Sequence, residues 1–170
     1  MQKYLNPPSA SGVINTASVS NALLTIGHYG FERSKKAKKP VGSDSWPAFR
    51  LHFIVKGSVI LSYGMKTEVL KKNSVFMLIP GTNISYTTDK TAATAIYWVT
   101  FNGLLAGYYT TLMNMNDNHP FQALPNAQAL KYFYDCFIEN VENPALREIK
   151  LLKNFYSIME EIVKQSTVDT

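Results

Sequence analysis

A chain of 170 residues in which 46% are hydrophobic and 17% charged is long enough for one domain with a core of its own, and too apolar for intrinsic disorder. Its single cysteine, Cys136, excludes an internal disulfide and a thiolate metal cluster, so a disulfide-stapled scaffold and a structural zinc module both fail and a reducing, cytoplasmic setting is expected. The formal charge of +5 is uneven, with 12 basic and 4 acidic side chains in residues 1–90 against 5 and 8 in residues 91–170.

Residues 1–20, beginning MQKYLNPPSASGVINTAS, are polar and carry two prolines. They have no apolar h-region, so they read as a flexible arm rather than a secretory signal. From 21 to 103 the texture is that of strands, with runs of four to eight residues rich in Val, Ile, Phe and Tyr. The runs are 22–32, 48–57, 58–64, 66–71, 74–80, 83–88 and 94–102, and Gly57, Gly64-Met65, Lys72-Asn73 and Pro80-Gly81-Thr82 supply turns between them. The basic run Arg33, Lys35, Lys36, Lys38 and Lys39 falls between the first two, beside Pro40, Gly42 and Ser43. It reads as a solvated loop rather than a phosphate-binding patch. Such spacing predicts an antiparallel barrel or sandwich.

Residues 104–170 turn helical. LLAGYYTTLMN forms a short helix, and Asn126 caps a second through about Val141, with Leu130, Phe133, Phe137 and Val141 at helical spacing. Asn143 and the first-turn Pro144 open the last helix. Its stripe is Ile149, Leu152, Phe155 or Tyr156, Met159 and Ile162. Two readings stand for that stripe: it packs on the domain's own sheet, or it also faces another subunit. The longest apolar runs are too short for a bilayer span of roughly 20 residues.

Motifs for chemistry are sparse. His28, His52 and His119 lack a second ligand at strand or helix spacing, so no metal is assigned. No phosphate loop, dinucleotide fingerprint or Gly-x-Ser-x-Gly elbow occurs, and the acidic residues of the first half are scattered. The chain is therefore expected not to be an enzyme, with no catalytic residue and no cofactor. In the strand around Phe53, Arg50 and His52 share one face while Leu51, Phe53 and Val55 share the other. That polar face lies either in water at a sheet edge or in a polar ligand cavity.

Three blocks between Phe49 and Gly103 carry a resemblance. They are FRLHFIVKGSVIL, LKKNSVFMLIPGTNISY, with its Pro-Gly turn and a Tyr five residues after that Gly, and AIYWVTFNG, an aromatic-rich strand ending in a Phe-x-Gly turn. In order and spacing they resemble the N-terminal, cupin-like sensor domain of AraC-type bacterial transcription regulators. The resemblance implies a mainly β domain with C-terminal helices, an antiparallel β-barrel or jelly roll followed by two or three α-helices. It implies a small-molecule effector, a carbohydrate in sugar-binding members, met by Tyr86 and Trp98. Ile96 shares the parity of Trp98, and Arg50 with His52 can add hydrogen bonds to sugar hydroxyls. Tyr86 and Trp98 read equally as core aromatics.

The resemblance also implies a homodimer paired through the C-terminal helices, with Ile149, Leu152, Phe155, Met159 and Ile162 at the interface. DNA would be met only through a helix-turn-helix unit that these residues do not contain, and no membrane partner is expected. The sequence departs from the family at Ile84, where many relatives have a histidine, and at Lys72-Asn73, where an acidic turn residue is usual. Two rival readings remain: a cupin-type metal-dependent enzyme using His28, His52 and Glu32, and a ligand-free dimerisation module.

Overall fold

The computed structural model describes residues 22–34, 40–44, 46–88, 93–126, 132 and 143–166. The arm 1–20, Lys35, Lys36, Lys38, Lys39 and the expected helix from 126 to 141 lie outside them, Asn126 and Tyr132 apart. The elements are β1 (Thr25–Ser34), β2 (Val41–Gly42), β3 (Phe49–Lys56), β4 (Ser58–Tyr63), β5 (Lys66–Lys71), β6 (Ser74–Leu78), β7 (Ile84–Thr88), β8 (Thr94–Asn102), α1 (Ala106–Leu112), β9 (Phe121–Ala123) and α2 (Pro144–Ser166). All seven runs read from the sequence become strands. β2 is two residues long and β9 three, too short to show alternation. Among the described residues no helix is long and apolar enough to cross a membrane.

The strands form two antiparallel sheets, β1-β8-β3-β6-β9 and β2-β7-β4-β5. Of the barrel and the sandwich that the spacing allows, the open arrangement is the one found: no hydrogen-bonded ladder joins the sheets among the described residues, and β1, β9, β2 and β5 are left as edges. Closure requires each edge to continue into the next strand. Instead the chain steps from one sheet to the other at most connections, and the sheets stack face to face. Gly57 makes one such step from β3 to β4 at φ 74°, where a Cβ would come within 2.7 Å of the Ala93 carbonyl oxygen.

Alternation then assigns every side chain to a layer. Leu51 and Phe53 of β3, Val75 and Met77 of β6, and Tyr97, Val99 and Phe101 of β8 meet the helices. Ile54, Phe76, Leu78 and Ile96 meet Val59, Leu61, Tyr63, Leu70, Ile84 and Tyr86 of the second sheet. The five-stranded sheet is thus covered on both faces, which is why β6 is buried at all five positions. β5, an outer edge, buries only Leu70 and carries Lys66, Glu68 and Lys71, the charged pattern that discourages edge-to-edge pairing.

Asn143 caps α2 as expected, its Oδ1 accepting from the amides of Ala145 (3.0 Å) and Leu146 (3.2 Å). The inward face of α2 consists of Leu151, Phe155, Ile158, Met159 and Ile162. Ile149 is 63% exposed and Tyr156 also faces outward, while Leu152 is partly buried. Of the expected interface stripe, then, Phe155, Met159 and Ile162 are packed into the chain's own core.

Phe155 is fully buried with its ring 4.7 Å from that of Phe101. Phe155→Ala is expected to lower unfolding free energy by about 3–5 kcal/mol, read by chemical denaturation, whereas Ile149→Ala should change it by less than about 0.5 kcal/mol.

Candidate ligand site

β3 sits between β8 and β6, in register at His52↔Trp98 and His52↔Phe76. Its Arg50 and His52 therefore point away from the helices and into the space before the second sheet. β3 is central in its sheet and the second sheet packs on this face, so the edge-strand alternative for these two residues does not hold. From the opposite sheet Tyr86, paired with Leu61 in β4 and Val41 in β2, completes the cluster.

Arg50 is the centre of this arrangement. Its guanidinium carbon lies 4.4 Å from the ring centroid of Trp46 and 4.9 Å from that of Trp98. Two indole contacts offset part of the cost of withdrawing the cation from water. Its Nε is buried with no hydrogen-bond partner among the described residues. Burial lowers the Arg50 pKa, and the nearby Tyr86 phenol and Glu32 carboxylate oppose that shift. The same burial, helped by Glu32 and opposed by Arg50, pushes the Tyr86 phenol up. Tyr86 thus stays a neutral donor and acceptor beside a permanent cation.

Trp98 is placed by a glycine. β1 pairs Gly30 with Trp98, and a Cβ at Gly30 would lie 2.6 Å from Trp98 Cζ2. The indole covers backbone that a larger residue would occupy. Upstream, β1 bulges between Ile26 and Tyr29. Thr100 Oγ1 sits in the bulge, accepting from the His28 amide at 2.6 Å and donating to the His28 carbonyl at 3.0 Å. One extra residue there lets both Ile26 and Tyr29 reach the helix layer. It also sets His28 edge-on to Trp46, with centroids 5.8 Å apart.

His52 is wholly buried, stacked on Phe76 at 4.4 Å and met edge-on by Tyr86 at 5.0 Å. Burial first, then the Arg50 charge, hold its pKa well below the usual imidazole value. The backbones of Arg50 and Phe76 favour the protonated ring, yet neither ring nitrogen completes a hydrogen bond of good geometry. The ring is neutral and acts as a flat apolar filler. Ile96, also buried, joins the apolar layer beneath the cluster.

The expected site residues Arg50, His52, Tyr86, Ile96 and Trp98 thus lie on one inner surface. Of these Arg50 and Trp98 are partly exposed, and the other three are buried. Sequence reasoning missed Trp46, isolated in a loop with no periodicity around it, and missed Gly30. From the sequence Glu32 offers itself only as a metal ligand. Among the described residues no three His, Cys, Asp or Glu side chains gather into a group that could hold a metal ion, so His28, His52 and Glu32 do not form a ligand set. Beside the cluster, Ser43, Asp44, Trp46, Pro47, Pro80, Gly81 and Thr82 line an open cleft of about 480 Å³.

The model of the AraC-like ligand binding domain family matches residues 44–159, more than half of the chain. Similar solved structures include ToxT from Vibrio cholerae O395 bound to (E)-4-(8-methylnaphthalen-1-yl)but-3-enoic acid, at 12% identity and TM-score 0.49, covering 81% of this chain and 57% of that one. The cupin domain of Cnp3 from Schizosaccharomyces pombe is similar at 15% identity and TM-score 0.42, covering 64% of this chain and 72% of that one. No curated protein sequence matches.

The low His52 pKa has a consequence for stability. The unfolded imidazole titrates near 6.5, while the folded one resists protonation to a much lower pH. The unfolded state therefore binds more protons below pH 6.5, and stability present above that pH is lost as pH falls, by up to about 1.4 kcal/mol per unit. His52→Leu should remove this part of the pH dependence between pH 6.5 and 5 without lowering stability at pH 7.5, as measured by urea unfolding at both ends of the range.

Proposed function

This chain belongs to the family of AraC-like ligand binding domains, and we propose that it senses a small polar effector, a mono- or oligosaccharide, on the inner surface built around Arg50. The observation that carries the reading is the Arg50 guanidinium set between Trp46 and Trp98. An indole face covers the apolar face of a pyranose, while a guanidinium offers several directed donors to hydroxyls. Arg50 and Trp98 are the members a ligand reaches first. Tyr86, His52 and Ile96 form the floor beneath them.

The sensor reading places the chain in a regulator: effector binding changes how an attached DNA-binding unit is presented, and it can do so only through a difference in affinity between two arrangements. The chain acts as a binding module and not as an enzyme, and works in the cytoplasm. Two copies pair through α2, where the outward Ile149 and the partly buried Leu152 make the contact, and Phe155, Met159 and Ile162 hold the helix on its own sheet.

Thermal unfolding of the chain against a panel of sugars, with and without chelator, tests the sensor reading. A ligand that binds only the native state adds about 2.7 kcal/mol at a hundred times its Kd. One sugar should raise the midpoint regardless of chelator, and Arg50→Gln or Trp98→Leu should abolish the rise. A rise that depends on added metal, or one that survives both substitutions, would contradict it.

A further inference from the structure

The cleft beside Trp46 has a chemistry different from that of the Arg50 cluster. Its apolar walls are the rings of Trp46, Pro47 and Pro80. Its polar side chains are Ser43, Asp44 and Thr82, and two of their protons are already committed. Ser43 Oγ donates to the Thr82 carbonyl at 2.5 Å, and Thr82 Oγ1 donates to the Ile79 carbonyl at 2.6 Å. Each hydroxyl oxygen keeps only acceptor capacity, and Ser43 Oγ already accepts from the Ile84 amide at 3.2 Å. An Asp carboxylate is likewise an acceptor. Among the described lining residues there is no basic side chain and no free side-chain donor apart from the indole of Trp46.

The backbone that carries the carboxylate is held in place. Glycine at 42 leaves room beside Asp44 Oδ1, which a Cβ there would push aside. Ser43 fixes the backbone on either side, its amide donating to the Ile84 carbonyl at 2.8 Å and its carbonyl accepting from the Trp46 amide at 3.2 Å. The same hydrogen bonds tie the wall carrying Asp44 and Trp46 to the wall carrying Pro80 and Thr82. The volume, about 480 Å³, is that of a small-molecule site.

We propose that this cleft is a second ligand site, distinct from the Arg50 cluster, and that it takes a primary ammonium carried on a flat apolar body. An acceptor-lined cleft rejects anions and acceptor-only groups, which would leave its oxygens unpaired. It rewards a donor, and a charged donor most, because hydrogen bonds from an ammonium to a carboxylate are about twice as strong as neutral ones. The rings of Trp46, Pro47 and Pro80 cover the apolar body. Arg50 itself does not line the cleft, and the nearby Tyr86 phenol and Glu32 carboxylate compensate part of its charge. Trp46 belongs to both sites, so occupancy of one is felt at the other through that ring.

Isothermal titration of the full chain with 2-phenylethylamine, 2-phenylethanol and 3-phenylpropanoate, followed in parallel by the Trp46 indole N–H resonance, tests the proposal. The amine should bind at least tenfold more tightly than the alcohol and move the Trp46 signal, and the carboxylate should not bind. Asp44→Asn should reduce the amine's affinity to that of the alcohol while leaving the thermal midpoint and any sugar response at Arg50 unchanged. Gly42→Ala, which displaces the carboxylate without removing it, should weaken the amine in the same direction. Equal affinity for amine and alcohol, no binding of the amine, or amine binding untouched by Asp44→Asn would each overturn the second site. Those results would leave the Arg50 reading standing, since Arg50 and Trp98 do not line the cleft and the sugar panel, run without amine, tests them separately.

Discussion

The structure depends on one constraint: β3 is a central strand covered on both faces by packed layers, yet it carries an arginine and a histidine on one side. Every feature of the candidate site is a way of accommodating that pair. His52 is kept neutral, stacked on Phe76 and met edge-on by Tyr86. Arg50 cannot be neutralised, so it is enclosed by two indoles and placed near Glu32 and Tyr86. A cation held in this way, with Nε lacking a partner, costs stability unless something else uses it. Ligand binding is such a use. The rest of the fold follows, because covering both faces of the five-stranded sheet requires a second sheet on the Arg50 side and helices on the other.

Much of this was legible in the residues. The strands announced themselves because most are runs of β-branched and aromatic residues closed by Gly, Pro or Asn, and the turns at Gly57, Gly64 and Asn73 do take positive φ. Alternation placed Arg50 and His52 together. It could not say whether their face met water or a second sheet, because that depends on which strands flank β3. Closure stayed open between two alternatives for a related reason: barrel and open sandwich share the same alternation and differ only in hydrogen bonds between sheets, which leave no local mark. β9 was missed because three residues after Pro120 show no period.

The helix α2 shows a subtler limit. A spacing of three or four residues identifies an amphipathic helix but fixes the buried face only to within about one residue position. The stripe drawn from Ile149 to Ile162 runs true at Phe155, Met159 and Ile162. It misses Leu151 and Ile158, which are buried, and takes in Ile149, which is not. Trp46 escaped notice altogether, since a single aromatic in a Ser/Pro loop has no pattern to betray it. It nonetheless meets Arg50, His28 and the open cleft. Long-range partners of this kind are set by tertiary contact between β2's loop and β3, a relation the linear sequence does not encode in any spacing.

The central claim is that Arg50, held by Trp46 and Trp98, is what meets the effector. The most direct measurement is a nitrogen-15 NMR titration of the chain with the sugar that most stabilises it, watching the Arg50 Nε–H and the two indole N–H signals. The account predicts that all three move together along one saturation curve, with the Arg50 Nε–H gaining protection from exchange as it finds an acceptor. Movement confined to surface amides, with the Arg50 and indole signals unchanged at saturation, would contradict it.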